Sequence, residues 1–246
     1  MKRYLFLIIV LFLASCHVTE TIKIEENGSG SIETEEVRDE DSYLKIAGEN
    51  YAREEKFQDT TYFFKDIINK YDKNFFKLTD FEKDVFVKFK DVEVTINKNS
   101  YTKDFRTRIY QKFEKIENIP DFYKTEDYAD DLKNNYALAA EEHYFNVSYT
   151  FDGTVFRRII KLTNKGFQEK KISEIAEMKT HFGKMKINQT YVLNYSFPRK
   201  IKYVSNNKAK ISDDKKSMTL KFVLSDCIEN PDITSLEIVL ENIKNE

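Results

Sequence analysis

Residues 22–32 read IKIEENGSGSI and predict an antiparallel hairpin near the start of the folded chain. Two isoleucines alternate with charged residues, which is the two-residue period of a strand with one buried face. The dipeptide Asn27-Gly28 then supplies the positive φ angles that a tight turn needs. We therefore expect one strand over about 20–26 and a second over about 31–37.

The rest of the chain has patterns that predict an α+β fold, with a mostly antiparallel sheet of hairpins, one longer helix and several short helices. Asp152-Gly153 stands between two β-prone runs and predicts a second hairpin. Apolar residues at helical spacing behind Thr125 predict the longer helix, over about 126–142. Residues 172–181 are predicted to form a short helix or a loop.

The N-terminus has the layout of a secretory signal peptide. Lys2 and Arg3 precede an apolar run over residues 5–13, and the small residues Ala14 and Ser15 follow it. The run is shorter than the roughly 20 apolar residues that cross a bilayer. We therefore expect residues 1–15 to be removed.

The end of this leader, Leu13-Ala14-Ser15-Cys16, resembles the lipobox of bacterial lipoproteins. The resemblance implies cleavage after Ser15, diacylation of the Cys16 thiol and acylation of the new α-amine, with chains such as palmitate. Several chains together give stable anchoring. The alternative is an ordinary signal peptide whose cysteine is incidental. His17 is not the aspartate that resembles an inner-membrane retention signal, so the outer membrane, facing the periplasm, is the expected location.

The expected domain organisation follows from this leader. Residues 1–15 are the signal peptide, residues 16–19 a lipidated tether, and residues 20–246 a single α+β domain with a potential division near 115–125. At roughly 3.3 Å per residue, the tether would reach about 10 Å. The folded body should then lie close to the membrane surface.

The charge balance of the chain argues against a nucleic-acid partner. The chain has 40 basic and 42 acidic side chains, so it has no basic surplus for a phosphate backbone, and nucleic acid is not an expected partner.

Cys16 and Cys227 are the only cysteines. If Cys16 is acylated, Cys227 has no partner within the chain. We expect Cys227 to be a small buried apolar group, with a reactive thiol as the alternative.

The sequence contains no recognised catalytic, metal or cofactor motif, so none of these is predicted. Glu141-Glu142-His143 could contribute to a metal site, but a solvated helix end explains it more simply. Arg157-Arg158, with Lys161 and Lys165, could touch lipid headgroups or lie on a solvated sheet face. Acidic pairs are the remaining candidates for acid–base chemistry, although neighbouring residues do not face each other. These pairs are Asp39/Asp41, Asp130/Asp131 and Asp213/Asp214.

Three stretches resemble uncharacterised envelope lipoproteins of the Bacteroidetes/Flavobacteria type. They are the hairpin Ile24 to Gly30, residues 59–66 (DTTYFFKD) and the run from Phe197 to Leu240. The chain is also distantly similar to the LppM-like lipoprotein domain, through the same hairpin and a late segment, here Pro198 to Ile201 and Ala209 to Asp214. The resemblance implies an envelope-anchored α+β domain that contacts lipid or another envelope component. It assigns no functional residue other than the lipid cysteine.

These observations leave three hypotheses about function. The first is a lipid-anchored envelope lipoprotein, attached to the membrane through Cys16, that binds a protein, lipid or glycan partner without catalysis. The second is an envelope hydrolase with an unrecognised carboxylate site, which needs acidic residues from distant segments to converge in a cleft. The third is a scaffold subunit of an envelope assembly.

Overall fold

The computed structural model describes residues 16–135, 143–182 and 189–242. Its strands are β1 (Cys16–Ile24), β2 (Gly30–Arg38), β3 (Phe57–Phe63), β4 (Glu93–Asn99), β5 (Asp104–Phe113), β6 (Phe145–Phe151), β7 (Val155–Leu162), β8 (Thr190–Ser196), β9 (Ile201–Val204), β10 (Lys210–Ile211), β11 (Ser217–Val223) and β12 (Leu236–Leu240). Its α-helices are α1 (Glu40–Ala47), α2 (Phe64–Lys70), α3 (Asp72–Phe75), α4 (Asp80–Lys88), α5 (Thr125–Asn134), α6 (Lys165–Phe182) and α7 (Leu224–Glu229).

These elements form the predicted α+β fold, with two sheets. Sheet A has eight strands in the order β10-β11-β8-β1-β2-β5-β4-β3, and sheet B has four in the order β6-β7-β12-β9. Most neighbours are antiparallel, but β1 lies between β2, which is antiparallel to it, and β8, which is parallel to it. β1 is therefore an interior strand of sheet A, paired along both sides.

Both predicted hairpins are confirmed, and each turn uses a glycine with positive φ. Gly28 has a φ of 84° between β1 and β2, and Gly153 has a φ of 91° between β6 and β7. L-residues with a side chain rarely adopt such angles, so these positions favour glycine. α4 begins at a capping box, in which the Thr79 hydroxyl accepts a hydrogen bond from the Glu82 backbone N–H at the N-cap.

One hydrophobic core lies on the inner face of sheet A, the face that packs against sheet B and several helices. Its fully buried side chains come from both sheets and from the helices: Ile22, Ile32, Phe64, Phe86, Phe156, Leu193, Tyr195 and Ile238. Ile116, Ile119 and Phe122, from the segment where a division was expected, are buried in the same core.

The structure corrects two of the boundaries predicted from sequence. Residues 16–19, predicted as a tether, are the first four residues of β1. The longest described helix is α6, with 18 residues, where only a short helix or loop over 172–181 was expected. The helix predicted over 126–142 is observed as α5, over Thr125–Asn134, and residues 136–142 lie outside the described part of the chain.

Candidate functional site: the sheet edge at Cys16

The residue with a predicted chemical role lies at one end of sheet A. Cys16 is the first residue of β1 and pairs in register with Arg38, the last residue of β2. Its side chain faces the inner side of the sheet, as Val18 and Glu20 do, and is only 4% exposed. Ser15, the predicted cleavage position, lies outside the described residues. We call this end of sheet A, where β1 begins and β2 ends, the Cys16 edge.

His17 ties this end of β1 to its surroundings and is not part of a free tether. Its Nδ1 lies 2.8 Å from the Thr190 hydroxyl on β8, and its Nε2 lies 3.3 Å from the Asp39 carboxylate. The same carboxylate caps α1 by accepting a hydrogen bond of 2.8 Å from the Ser42 backbone N–H. Burial would raise the pKa of Asp39, but these hydrogen bonds and His17 hold the pKa below its ordinary value. One side chain thus joins three elements at the Cys16 edge.

Arg38, opposite Cys16, is the centre of a buried cluster. Its guanidinium carbon lies 3.8 Å from the ring centroid of Tyr43 and 3.3 Å from that of Phe105. The same group donates to the carboxylate of Glu40 at 2.6 and 3.2 Å and to that of Glu54 at 3.1 and 3.0 Å. Stacking and bidentate pairing are contacts that arginine makes far better than lysine. The cluster fastens α1 and the following 3₁₀ turn (Gly48–Arg53) to the Cys16 edge.

A second buried arginine links β1 to sheet B. Glu20 on β1 and Arg158 on β7 are both buried, and the guanidinium donates from Nε and Nη2 to the two carboxylate oxygens, each at 3.1 Å. Tyr195 donates to Oε1 of Glu20 at 2.5 Å, and Tyr191 donates to Oε2 at 2.8 Å. The Tyr191 hydroxyl also lies in hydrogen-bond contact with that of Tyr123.

The hydrogen-bonding capacity of Arg158 is fully used. Besides the two contacts with Glu20, its guanidinium donates to the Tyr191 hydroxyl at 2.8 Å and to the hydroxyl and carbonyl of Thr234 at 2.7 and 3.3 Å. An arginine has five N–H donors, so none is left for a ligand. Burial would raise the pKa of Glu20, but the charge of Arg158 and the hydrogen bonds from Arg158, Tyr195 and Tyr191 hold the pKa below its ordinary value. This cluster is a structural link between the sheets and not an acid–base pair.

The described chain has a shallow cleft of about 580 Å³ at the opposite end of sheet A. The hairpin turns 26–28 and 151–153 form part of its wall, together with charged residues of both signs: Glu26, Glu114, Lys115, Glu117 and Arg199. Two of these charges are already engaged, because Glu117 accepts from the Phe151 backbone N–H and Arg199 donates to the Gly153 and Glu241 carbonyls.

The acidic candidates from the sequence do not come together. Asp39 caps α1, Asp131 is buried in α5, and Asp214 accepts hydrogen bonds within its own turn. Asp121, which the sequence did not single out, has a pKa raised by burial. Its carboxylate accepts backbone hydrogen bonds from Tyr123 and Val147, and it lies outside the cleft.

The other predicted site residues also have defined places. Arg158 is buried and paired, so its predicted position on a solvated face is wrong, whereas Arg157 is exposed and pairs with Glu237 at 2.8 Å. Cys227 is buried in α7, and burial raises the pKa of its thiol to about 12. His143 lies 2.6 Å from the Asp127 carboxylate. Glu141 and Glu142 lie outside the described residues.

Neither a group of metal ligands nor a membrane-spanning helix is present among the described residues. Over residues 16–135, 143–182 and 189–242, no three histidine, cysteine or acidic side chains are grouped as metal ligands would be. Within the same ranges, no helix is both long enough and apolar enough to cross a membrane.

Comparisons with known proteins give little further information. No family model and no curated protein sequence matches the chain. Among solved structures, the chain is similar to the folded domain of the LppM protein of Mycobacterium tuberculosis, determined by NMR. The identity is 8% and the TM-score 0.39, over 94% of this chain and 92% of that one. A likeness at this level supports no statement about function. The resemblance to the Bacteroidetes/Flavobacteria type stays a prediction.

Proposed function

We propose that this protein is a lipid-anchored lipoprotein of the cell envelope, cleaved after Ser15 and acylated on Cys16. It is attached in this way to the outer membrane, where it binds a protein, lipid or glycan partner without catalysis. One observation carries the proposal: the cysteine that ends the lipobox lies within β1 and is paired there with Arg38 on β2. The predicted anchor residue is thus part of the folded domain itself.

The same observation determines how the anchor holds the domain. Because β1 begins at Cys16 itself, no spacer separates the acylated residue from sheet A. β1 is paired with β2 and β8 and is joined to sheet B through Glu20. A force on the acyl chains would therefore act directly on an interior strand, and the body would be held against the bilayer.

The burial of Cys16 bears on when its thiol can be acylated during folding. The side chain of Cys16 is 4% exposed in the folded chain, so an acyl-transfer enzyme cannot reach the sulfur atom while the end of β1 is docked. We therefore expect modification of the thiol to precede the pairing of Cys16 with Arg38. In the mature protein, the diacylglyceryl group leaves the sheet at the Cys16 edge.

The contacts of two buried acidic groups, Glu20 and Asp121, are structural and do not suit either group to acid–base catalysis. Glu20 has a lowered pKa, and its carboxylate accepts hydrogen bonds from Arg158 and from the hydroxyls of Tyr123, Tyr191 and Tyr195. Asp121 has a raised pKa, but its carboxylate is held by two backbone N–H groups outside the cleft. A general acid must instead lie within reach of a substrate.

Expression of paired cysteine variants in a host that processes lipoproteins tests the anchor. We expect the wild-type chain and Cys227→Ala to incorporate labelled palmitate and to remain in the membrane fraction after a high-salt wash. Cys16→Ser should incorporate no label and should leave the membrane. Cys16→Ser that stays in the membrane, or wild type without label, would contradict the proposal.

The binding role needs a separate measurement. Wild-type protein extracted from native membranes in mild detergent is purified, and the molecules that accompany it are identified. We expect a protein, lipid or glycan that is enriched over a purification of an unrelated lipoprotein. Hydrolysis of envelope material by the purified protein would instead support the alternative of a hydrolase.

A further inference from the structure

The strand order of sheet A places Phe57, on β3, at the same edge as Cys16. Cys16 pairs with Arg38, the last residue of β2, and the end of β2 lies beside the start of β5 because these strands are antiparallel. Asp104, the first residue of β5, pairs with Asn99 on β4, and Asn99 pairs with Phe57, the first residue of β3. β3 is four strands away from β1 in the order β1-β2-β5-β4-β3. At about 4.8 Å per strand, Phe57 lies about 19 Å from Cys16 along the same edge.

Phe57 forms an exposed aromatic pair with Tyr101, which lies in the turn between β4 and β5. The two ring centroids are 4.8 Å apart. Phe57 is 53% exposed and Tyr101 is 85% exposed. The rings therefore present apolar surface to the surroundings at the end of the sheet where the acyl chains would leave.

The turn that carries Tyr101 is held in place by polar contacts. The Asn99 side chain accepts hydrogen bonds from the backbone N–H groups of Tyr101 and Thr102, at 3.0 and 3.1 Å. Ser100 and Lys56 exchange two further hydrogen bonds, of 2.8 and 3.1 Å, between the turn and the residue before Phe57. The aromatic pair is thus preorganised, and little conformational entropy would be lost on contact.

Lysines lie beside the aromatic pair. Lys56 directly precedes Phe57, and its ammonium lies 3.2 Å from the Glu54 carboxylate. Lys103 follows Tyr101 in the turn, and its ammonium lies 4.2 Å from the ring centroid of Tyr51. Aromatic rings flanked by lysines are typical of protein surfaces at a membrane interface, where the rings lie at the depth of the headgroups.

We infer that Phe57 and Tyr101 form a second membrane contact, which inserts into the headgroup region of the same bilayer that holds the Cys16 acyl chains. This inference rests on the proposed function, because it needs the anchor at Cys16. Two contacts about 19 Å apart on one edge align that edge with the membrane, whereas a single anchor leaves the edge free to swing away from it. Sheet A then stands with its Cys16 edge on the membrane, and the cleft at the opposite end points away from it.

The bilayer is the occupant that the geometry favours. With no spacer behind Cys16, the space next to this edge is already taken by lipid headgroups, and a protein partner would have to enter between the sheet and the membrane. A second exposed apolar group lies further along the chain, beyond the other end of β3: Phe76, directly after α3, and Phe81 on α4. It has no such relation to Cys16.

The absence of tryptophan from the sequence makes the test direct. Phe57→Trp and Tyr101→Trp each introduce a single fluorescent reporter at an exposed position. The acylated proteins are purified from the membranes of a processing host. They are then reconstituted into vesicles of phosphatidylethanolamine and phosphatidylglycerol, with or without lipids brominated in the acyl chains. Tyr203→Trp on β9, where the tyrosine is 51% exposed, is the matched control, and Phe76→Trp reports on the competing surface.

We expect the emission of Trp at positions 57 and 101 to shift to shorter wavelength on reconstitution and to be quenched by the brominated lipids. Trp at positions 203 and 76 should keep the emission of a water-exposed indole. Quenching at position 76 without quenching at 57 and 101 would overturn the inference, because the body would then lie on α3 and α4.

Failure of the inference and failure of the proposed function give different results. If the variants are acylated and sediment with the vesicles, but Trp at positions 57 and 101 stays unquenched, the anchor stands and the second contact is wrong. If the variants are not acylated and do not sediment, the anchor and the contact are both wrong.

Discussion

Arg158 and Arg38 are both buried, and each pairs with glutamate, yet they occupy different kinds of surroundings. Arg158 lies between the two sheets, where every N–H is bonded to a neighbour from β1, β8 or the 3₁₀ turn Pro231–Thr234. Arg38 lies at the Cys16 edge, stacked between Tyr43 and Phe105, with a carboxylate partner that is partly open to solvent.

β1 connects these two regions. Glu20, in the middle of β1, is hydrogen-bonded to Arg158. Cys16, the first residue of β1, is the strand partner of Arg38. One strand therefore carries both the link between the sheets and the proposed anchor. The inner cluster secures β1 in the core, and the outer cluster arranges the edge that would face the membrane.

Removal of Glu20 is expected to have the largest effect. Glu20→Ala leaves the Arg158 charge buried without its partner, which typically costs about 3–5 kcal/mol. Urea unfolding of the leaderless protein measures the loss. The matched control is Glu33→Ala on the outer face of sheet A, where the pair with Arg108 is partly exposed and is worth about 0–1 kcal/mol. Equal losses in the two variants would contradict the distinction between the inner and outer charges.

Truncation of Arg38 should cost less. Arg38→Ala leaves Glu54 buried, but Lys56 still lies 3.2 Å from it, and Glu40 is partly exposed. We expect a loss of about 1–3 kcal/mol, from unpaired hydrogen bonds and lost stacking. Arg38→Lys keeps the charge but not the planar fork, so it should recover only part of the loss. A loss as large as that of Glu20→Ala would remove the difference between the clusters.

The two regions should also differ in their response to acid. The pKa of Glu20 is lowered in the folded state from its ordinary 4.5. Its contribution to stability is therefore complete above pH 4.5 and is lost as the pH falls through the folded-state pKa. We expect Glu20→Gln to be less stable than wild type at neutral pH, with the gap closing as the pH is lowered below 4.5. A gap that stays constant with pH would show that Glu20 is not ionised in the folded protein.

The smallest effect is expected at the residue next to Arg158. Arg157 is exposed and pairs with the exposed Glu237, so Arg157→Ala should change the stability by no more than about 1 kcal/mol. Arg158→Ala is the comparison and should unfold at much lower urea. Similar midpoints for the two variants would contradict the assignment of opposite faces to these adjacent residues.

The hairpins were predictable because their signals are local. Asn27-Gly28 and Asp152-Gly153 specify their turns directly, and the alternating residues on both sides specify the strands. Thr79 and Glu82 specify the start of α4 in the same way. None of these features depends on a residue far away in the sequence.

The Glu20–Arg158 link could not be predicted, because its partners are 138 residues apart. The clear apolar alternation of β1 begins only at Ile22, so the strand is predicted over about 20–26 and not from Cys16. A signal was nevertheless present, since Val18, Glu20 and Ile22 share one phase of the strand. The parallel pairing of β1 with β8 is equally non-local, and only the folded chain reveals which charges face inward.

The most direct test of the account is the mass of the N-terminal tryptic peptide from membrane-purified protein. Cleavage after Ser15 and after Lys23 gives residues 16–23, CHVTETIK. We predict this peptide with a diacylglyceryl group on the Cys16 sulfur and an acyl group on its amine. A peptide that retains residues before Cys16, or one that begins at Cys16 with a free thiol, would contradict the central claim.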